Sequence, residues 1–233
     1  MSLETVERVI EVFGSGRRAN YHWYSWGEPL LYKQFHEFIE IAKHVRTTIS
    51  SNFSLNLTNR HFEDLSKIEM IIVSMSGLTP EVYNIYHQGG NFDLVMSNVK
   101  RLAGFPNKVR INWLQHPGNK HQEQMSRDWC ATNGFEWGGF RANCEVEELV
   151  DGFTHPFLKT PRHYSGRHLD HCRMTGGWVP ISVDGDYLLC CVSHNVKIGL
   201  TIWDNVTGDE IRDAKMRMPL CKLCREKQYW KMF

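Results

Sequence analysis

The sequence predicts an α/β protein whose parallel strands form a barrel-like or open sheet. Segments with apolar residues at helical spacing alternate with short β-prone segments. Five strand-like segments, separated by helices, occur by residue 140. One of them, Glu69–Ser74, is almost continuously apolar, as expected for a strand that is covered on both faces. Strands that alternate with helices pair in parallel through right-handed crossovers. The pattern therefore indicates a barrel-like or open α/β sheet.

The individual elements follow from periodicity and from turn residues. Amphipathic spacing predicts helices at residues 3–13, Tyr32–His44, Thr58–Leu65, Phe92–Leu102 and Gln122–Asn133. Aromatic, β-branched or alternating apolar residues predict strands at Asn20–Ser25, Thr47–Ser50, Glu69–Ser74, Lys108–Leu114 and Phe135–Phe140. Glycines end the first and last of these helices, at Gly14 and Gly134.

The composition changes after Cys144, and this change predicts a second domain. Residues 151–171 are rich in Pro, Gly and His and have little periodicity, which is typical of a linker or irregular loop. Asp184-Gly185 then lies between two β-prone runs, a pattern that predicts a hairpin over Trp178–Val192. We therefore expect a barrel-like domain at residues 1–150 and a small β-hairpin domain at residues 151–233.

Composition excludes several classes of function. Lys and Arg number 27 and Asp and Glu 26, so no charge excess points to nucleic acid or to an acidic membrane surface. No apolar run approaches the roughly 20 residues of a membrane span, and the N-terminus lacks the pattern of a secretory signal. Seven cysteines without such a signal favour reduced, metal-binding thiols over a disulfide framework. The expected location is the cytoplasm.

Four cysteines near the C-terminus have the spacing of a metal centre. Cys172 precedes the hairpin and Cys190 ends its second strand, so folding of the hairpin brings the two sulfurs to one end. Cys221 and Cys224 are separated by two residues and can face one centre from a single turn of backbone. Four thiolates in two close pairs suit a tetrahedral zinc ion or an iron–sulfur cluster, and the spacing does not separate the two.

The other three cysteines are poorer ligand candidates. Cys191 has its side chain on the opposite face of the strand from Cys190. Cys130 is predicted to lie in a helix and Cys144 beyond the last strand, and both are interpreted as structural thiols. The remaining alternative is that the four candidate ligands are unconnected buried cysteines.

Motifs in order along the chain resemble the barrel of radical S-adenosylmethionine enzymes. Gly27-Glu28-Pro29 follows the first strand, Ser51-Asn52 the second, and Ser74-Met75-Ser76-Gly77 lies at the end of the third. Cys-x12-Gly-x4-Cys and the later Cys-x2-Cys resemble the auxiliary-cluster extension of that superfamily, of the SPASM type in its shortened twitch form. The resemblance covers nearly the whole chain and implies a partial (β/α) TIM-like barrel with a small C-terminal cluster-binding domain.

The resemblance also implies roles for individual residues. The backbone of Gly27, Glu28 and Pro29 would contact the amino group of S-adenosylmethionine, and Asn52, Ser74 and Asn112 would face the cofactor. Trp26 stands where the family usually has another glycine, and Phe53 replaces the glycine of the family's Thr-Asn-Gly.

The ligands implied for the C-terminal domain are the four cysteines. Cys172, Cys190, Cys221 and Cys224 would bind one auxiliary [4Fe–4S] cluster, with zinc as the alternative metal.

One family feature is absent. No cysteine precedes Cys130, so the sequence lacks the Cys-x3-Cys-x2-Cys motif that follows the first barrel strand in this family. We therefore expect a barrel without its first strand, whose Asn20–Trp26 edge needs a covering protein partner. The resemblance implies radical modification of a peptide or small molecule by a truncated or partner-dependent enzyme. The alternatives are a non-catalytic cluster-binding or electron-relay subunit and a four-cysteine zinc protein.

Overall fold

Five short strands pair in parallel, in the order in which they occur along the chain. The strands are β1 (Asn20–His22), β2 (Arg46–Ser51), β3 (Met70–Met75), β4 (Lys108–Gln115) and β5 (Glu136–Arg141). The computed structural model describes residues 1–14, 19–24, 27–105, 108–141, 177–190 and 196–226. The predicted α/β class with a parallel, barrel-like sheet is therefore confirmed.

Helices connect the strands. They are α1 (Leu3–Phe13), α2 (Phe35–Ala42), α3 (Asn59–Leu65), α4 (Pro80–Tyr86), α5 (Phe92–Lys100), α6 (Glu123–Thr132), α7 (Gly208–Arg217) and α8 (Pro219–Glu226). Short 3-10 helices lie at Pro29–Leu31 and Pro117–Gln122. The sequence did not predict α4, although Thr79 followed by Pro80 has the order of an N-cap and a first-turn proline. No helix in the described ranges is long and apolar enough to cross a membrane.

The chain divides into two units. Residues Phe13–Ala142 form the first, which we call the α/β unit, and Met1–Val12 with Asn143–Phe233 form the second, which we call the C-terminal unit. The first helix therefore groups with the C-terminal part of the chain, where Arg8 donates from Nε to the carbonyl of Ile202 at 3.0 Å. The domain boundary at residue 150 stays a prediction.

The sheet of the α/β unit has two unlike faces. Paired residues of neighbouring parallel strands point to the same side. One side carries fully buried apolar residues: Ile49, Ile71, Val73, Met75, Ile111 and Trp113. Right-handed crossovers between sequential parallel strands place the connecting helices on this side. The other side carries more exposed and more polar residues, and we call it the open face.

The open face is defined by the strand register. Ser50, Ile72 and Arg110 are matched across β2, β3 and β4, and Ser74 is matched with Asn112 and Asn112 with Gly138 one step further along the strands. Ser50, Ser74, Arg110 and Asn112 are all half-buried. A ligand above this face could therefore reach polar side chains from several strands.

The C-terminal unit contains the predicted turn. Gly185, with a φ of 91°, closes a tight turn in which Ser182 donates from its amide to the carbonyl of Asp186 at 2.9 Å. Only an isolated bridge, Ile181 with Tyr187, joins the two sides, because Pro180 has no N–H to extend the ladder.

The predicted second strand of the hairpin is shorter in the structure and has a different partner. The strand β6 covers Asp186–Leu188 and pairs antiparallel with β7 (Lys197–Thr201), which the sequence did not predict. The predicted linker at 151–171 lies outside the described residues.

Candidate functional site

The carboxylate of Glu28 links the segments that follow β1 and β2 through hydrogen bonds. Glu28 accepts hydrogen bonds from the amide of Leu30 at 3.1 Å and from the amide of Asn52 at 3.2 Å. The first bond caps the 3-10 helix that begins at Pro29, and the second fixes the loop after β2. Three of the predicted cofactor residues, Glu28, Pro29 and Asn52, are therefore brought together, with Gly27 adjacent. Trp26 lies outside the described residues.

The loop after β2 is held by side-chain hydrogen bonds to its own backbone. Ser51 Oγ accepts from the amide of Phe53 at 2.9 Å, and Asn52 Oδ1 accepts from the amide of Ser54 at 2.9 Å. Asn98 donates from Nδ2 to the carbonyl of Phe53 at 2.9 Å. This conformation places Phe53 at a φ of 55°, in the left-handed region, with its side chain fully buried.

Replacing Phe53 with glycine is expected to destabilise the α/β unit by about 2 kcal/mol. Glycine relieves a left-handed conformation that costs roughly 1–2 kcal/mol for other residues, but truncating a buried Phe costs about 3–5 kcal/mol. Urea unfolding measures the difference. Phe53→Ala keeps the backbone strain and should be less stable than Phe53→Gly. Equal or greater stability of Phe53→Gly relative to the wild type would contradict this estimate.

Ser74 and Asn112 are side by side on the open face. They are direct partners in the β3–β4 register, near the carboxyl ends of both strands. Neither side chain makes a hydrogen bond within the described part of the chain, so the hydroxyl and the amide are available to a ligand. Ligands of parallel α/β sheets bind at this end of the strands. That Ser74 and Asn112 face a cofactor stays a prediction.

Sequence reasoning missed three polar residues on or next to the open face. Arg110 lies one step before Asn112 on β4, and its guanidinium rests against the backbone of Gly138. His22 Nδ1 is 3.0 Å from the Tyr24 hydroxyl at the end of β1. The Arg110 charge lowers the pKa of Tyr24, against a larger increase caused by burial, so the phenol lies within electrostatic range of the guanidinium. Their common orientation depends on the strand register, which local sequence patterns do not give.

The loops after β3 and β4 form a buried polar cluster. Ser76 Oγ is 2.8 Å from His87 Nδ1, and the Tyr83 ring stacks on the His87 ring at 4.4 Å between centroids. Asn119 donates from Nδ2 to the carbonyl of Ser76 at 2.8 Å. Burial, with a smaller contribution from His116, lowers the pKa of His87 to about 4. The cluster fixes the loops that border the open face.

The cysteine quartet is only partly within the described residues. Cys190 follows β6, and Cys221 and Cys224 lie three residues apart on α8, so they share one side of that helix. All three are half-buried. Cys172, Cys144 and Cys191 lie outside the described residues, and the four-cysteine site stays a prediction.

Cys130 has the environment expected of a structural thiol. It is buried, and burial raises its pKa to about 12, which keeps it protonated and unreactive.

Among the described residues, one group of side chains brings three potential metal-binding atoms within 4.8 Å: His36, Glu40 and Asp64. Lys67 Nζ already lies 2.7 Å from Glu40 Oε1 and 2.9 Å from Asp64 Oδ1. Hydrogen bonds from Lys43 and Lys67 lower the pKa of Glu40 to about 2. The ammonium group occupies the position a cation would take, so this group is an ion-pair network between α2 and α3.

Known structures share the fold. A structure of SuiB from Streptococcus suis bound to S-adenosylmethionine aligns with 97% of this chain and 61% of its own, at a TM-score of 0.63 and 15% identity. A structure of anSMEcpe with bound AdoMet aligns with 99% of this chain and 78% of its own, at a TM-score of 0.63 and 13% identity. SuiB bound to its precursor peptide SuiA aligns over 64% of this chain and 34% of its own, at a TM-score of 0.51 and 18% identity.

These neighbours are radical S-adenosylmethionine enzymes, so the resemblance in the sequence is matched by a resemblance in fold. Identities of this size establish the fold alone. The chain spans 61% of the SuiB chain in the S-adenosylmethionine complex. No protein-family model matches the chain, and no curated protein matches it.

Proposed function

We propose that this chain is the barrel and auxiliary-cluster part of a radical S-adenosylmethionine protein that modifies a peptide. The observation that carries the proposal is the arrangement at the carboxyl ends of the parallel strands. The turn at 27–29 is tied to Asn52 through Glu28, and Ser74 and Asn112 share one position on the open face. These are the residues at which the sequence motifs predicted the cofactor.

The residues present suit the polar groups of S-adenosylmethionine. An ammonium group needs acceptors, and the backbone carbonyls of a turn at 27–29 can supply them. The Ser74 hydroxyl and the Asn112 amide can each donate and accept a hydrogen bond. When bound and reduced through an iron–sulfur cluster, this cofactor supplies a carbon radical. The chain's own role is to bind and orient it above the open face.

The C-terminal unit is proposed to hold one auxiliary [4Fe–4S] cluster. The ligands would be Cys172, Cys190, Cys221 and Cys224, of which Cys221 and Cys224 share one side of α8. Thiolate ligation is what such clusters require, and neighbouring hydrogen bonds set their potential. The cluster would exchange electrons with the substrate or with a partner, and zinc is the alternative occupant.

A peptide is the proposed substrate class, with a small molecule as the alternative. SuiB is known bound to a precursor peptide, and anSMEcpe is known with AdoMet and the Kp18Cys peptide. This support is an analogy of fold, because identity to both proteins is below 20%. The cytoplasm remains the proposed location.

A further strand, from another segment or another protein, is proposed to cover the outer edge of β1. Within the described sheet, β1 pairs with β2 and with no second strand. Strand edges with free backbone groups and aromatic side chains favour pairing, and Tyr21 and Trp23 stack here with 5.6 Å between ring centroids. The proposal places the covering strand, and with it the three-cysteine cluster motif, on another segment or another protein.

Anaerobic reconstitution with iron and sulfide tests this function. We expect about four iron and four sulfide per chain, with thiolate-to-iron absorption. Cys224→Ala should lose most of the metal, whereas Cys130→Ala, which removes a buried thiol, should retain it. A colourless protein with bound zinc would overturn the cluster assignment.

The same preparation tests partner dependence. We expect the chain alone to bind S-adenosylmethionine without cleaving it, because the sequence carries no Cys-x3-Cys-x2-Cys motif. Liquid chromatography of 5′-deoxyadenosine measures cleavage. Formation of this product by the purified chain would contradict partner dependence. Absence of S-adenosylmethionine binding in calorimetry would instead favour an electron-relay subunit.

A further inference from the structure

Arg110 is a cation on the open face that makes no hydrogen bond among the described residues, and 39% of its side chain is accessible. Its Nε is buried and has no hydrogen-bond partner among the described residues. In the described part of the chain the nearest anion is Glu136, whose Oε1 lies 3.7 Å from Nη1, too far for a hydrogen bond. Glu136 itself is about half exposed, with 51% of its side chain accessible. A guanidinium group has five N–H donors, and leaving a buried one unpaired is costly.

The position of the guanidinium is set by a glycine on the next strand. A Cβ on Gly138 would collide with Arg110 Nε and would lie 2.6 Å from its Nη2. Gly138 is the register partner of Asn112, and Asn112 is the partner of Ser74. The Arg110 side chain therefore leans toward β5 and one register step toward the carboxyl ends of the strands. Its charge is placed at the level of the two polar residues predicted to face the cofactor.

Among the described residues around Arg110, Glu136 alone provides a compensating charge. The Tyr24 phenol stays protonated at neutral pH because burial raises its pKa. Burial lowers the pKa of His22, whose ring contacts that phenol, so this residue is neutral at pH 7. An anion beside Arg110 would therefore meet its guanidinium and a neutral hydroxyl donor.

We propose that Arg110 binds a carboxylate group of the molecule held above the open face. A guanidinium can donate two parallel hydrogen bonds to a carboxylate, which gives both strength and orientation. The inference rests on the proposed function in one respect, that the open face is the side on which substrate and cofactor bind.

The geometry favours a substrate carboxylate over that of the cofactor. Arg110 lies on β4, three strands from β1, and strands are spaced by about 4.8 Å, so the separation along the sheet is about 14 Å. The turn at 27–29, predicted to hold the methionine end of S-adenosylmethionine, follows β1. An acidic side chain or the C-terminus of a peptide is the class of group that reaches Arg110 from the β4 side.

Nuclear magnetic resonance titration tests the site without iron or reductant. The backbone amides of Asn112 and Gly138 report binding. The probes are N-acetylglutamate α-methylamide, which carries one side-chain carboxylate, and N-acetylglutamine α-methylamide, which is uncharged. We expect saturable shifts with the acid and about tenfold weaker binding of the amide. Arg110→Gln should weaken binding of the acid about tenfold.

A matched control is Arg46→Gln. Arg46 is also on the open face, through the β2 register. It donates from Nε and Nη2 to Glu69 at 3.1 Å, so one pair of its donors already binds a carboxylate. This variant should bind the acid like the wild type. Arg110→Lys keeps the charge without the paired donors and should lose several-fold in preference for the acid, which gives a second variant should the Gln variant fold poorly.

A second pair of probes identifies the source of the carboxylate. If only S-adenosylmethionine, and not its decarboxylated form, shifts these amides in an Arg110-dependent way, the carboxylate is that of the cofactor. The proposed carboxylate site is wrong if the protein binds the acid and the amide equally well and also binds S-adenosylmethionine and its decarboxylated form equally well. Because this readout needs no cluster, its failure is distinct from failure of the iron analysis.

Discussion

Replacing Gly77 with alanine is expected to destabilise the α/β unit by about 3 kcal/mol or more. A Cβ at this position would collide with the backbone nitrogen of Tyr83 and would lie 2.7 Å from its Cα. The obstacle is the backbone of α4, which cannot step aside as the end of a side chain can. Inserting one methyl group into a packed site commonly costs about 1–3 kcal/mol, and a backbone collision lies at or above the top of that range.

The loop cannot easily relax, because it is fixed on both sides of Gly77. The carbonyl of Ser76 accepts from Asn119 at 2.8 Å, and the amide of Leu78 donates to Gln122 Oε1 at 2.7 Å. Hydrogen exchange of the β3 amides and urea unfolding measure the loss. Gly27→Ala is the matched control, because a Cβ there meets no atom within 4 Å, and its stability should change by less than about 0.5 kcal/mol. Equal stability of the two variants would show that α4 can move.

The five strands of the parallel sheet were predictable because each carries a local pattern of apolar, aromatic or β-branched residues. Lys108–Gln115 alternates around Val109, Ile111 and Trp113, and these three are buried on the helix-covered side as alternation requires. The order of the strands followed from the rule that sequential crossovers place neighbours side by side. Periodicity and connection length therefore sufficed for the sheet.

The open face was less predictable, because it depends on long-range register. Ser74 and Asn112 were named from motif order, and the register places them together. Arg110 gave no local signal, since an arginine within an alternating strand is typical of an ordinary exposed position. Only the pairing with β5 shows that Gly138 makes room for its guanidinium. Motifs along the sequence therefore miss some residues of a site that is assembled from several strands.

The left-handed conformation of Phe53 is a second case. Phe53 stands where the barrel family that the sequence resembles has glycine, and glycine would have indicated a positive φ. A phenylalanine there gives the opposite expectation. The backbone of Phe53 nevertheless has a positive φ. Hydrogen bonds from Asn98 and to Ser51 hold the loop, and burial of the ring offsets the strain. Tertiary contacts, which a local sequence pattern does not contain, therefore determine the backbone conformation of this residue.

Acidification from pH 6.5 to pH 4 is expected to destabilise the α/β unit by about 3 kcal/mol through His87 alone. Burial lowers the pKa of His87 to about 4, from an ordinary value near 6.5. The folded state therefore binds this proton less readily than the unfolded state. Its contribution to stability is fully present above pH 6.5 and is lost as the pH falls toward 4, at up to about 1.4 kcal/mol per pH unit. Hydrogen exchange of β3 and β4 amides across this range measures the effect.

The histidine can be separated from other acid-sensitive groups by substitution. His87→Asn keeps a polar side chain near Ser76 Oγ but does not titrate, so stability should vary less between pH 6.5 and pH 4 than in the wild type. His44 is exposed, and His44→Asn is the matched control for the substitution itself. The stacked Tyr83 ring, the Tyr86 ring edge and His116 all surround His87, so a charge there has little water to stabilise it. An identical pH profile for His87→Asn and the wild type would mean that the folded loop admits the proton, and the closed packing of this cluster would then be wrong.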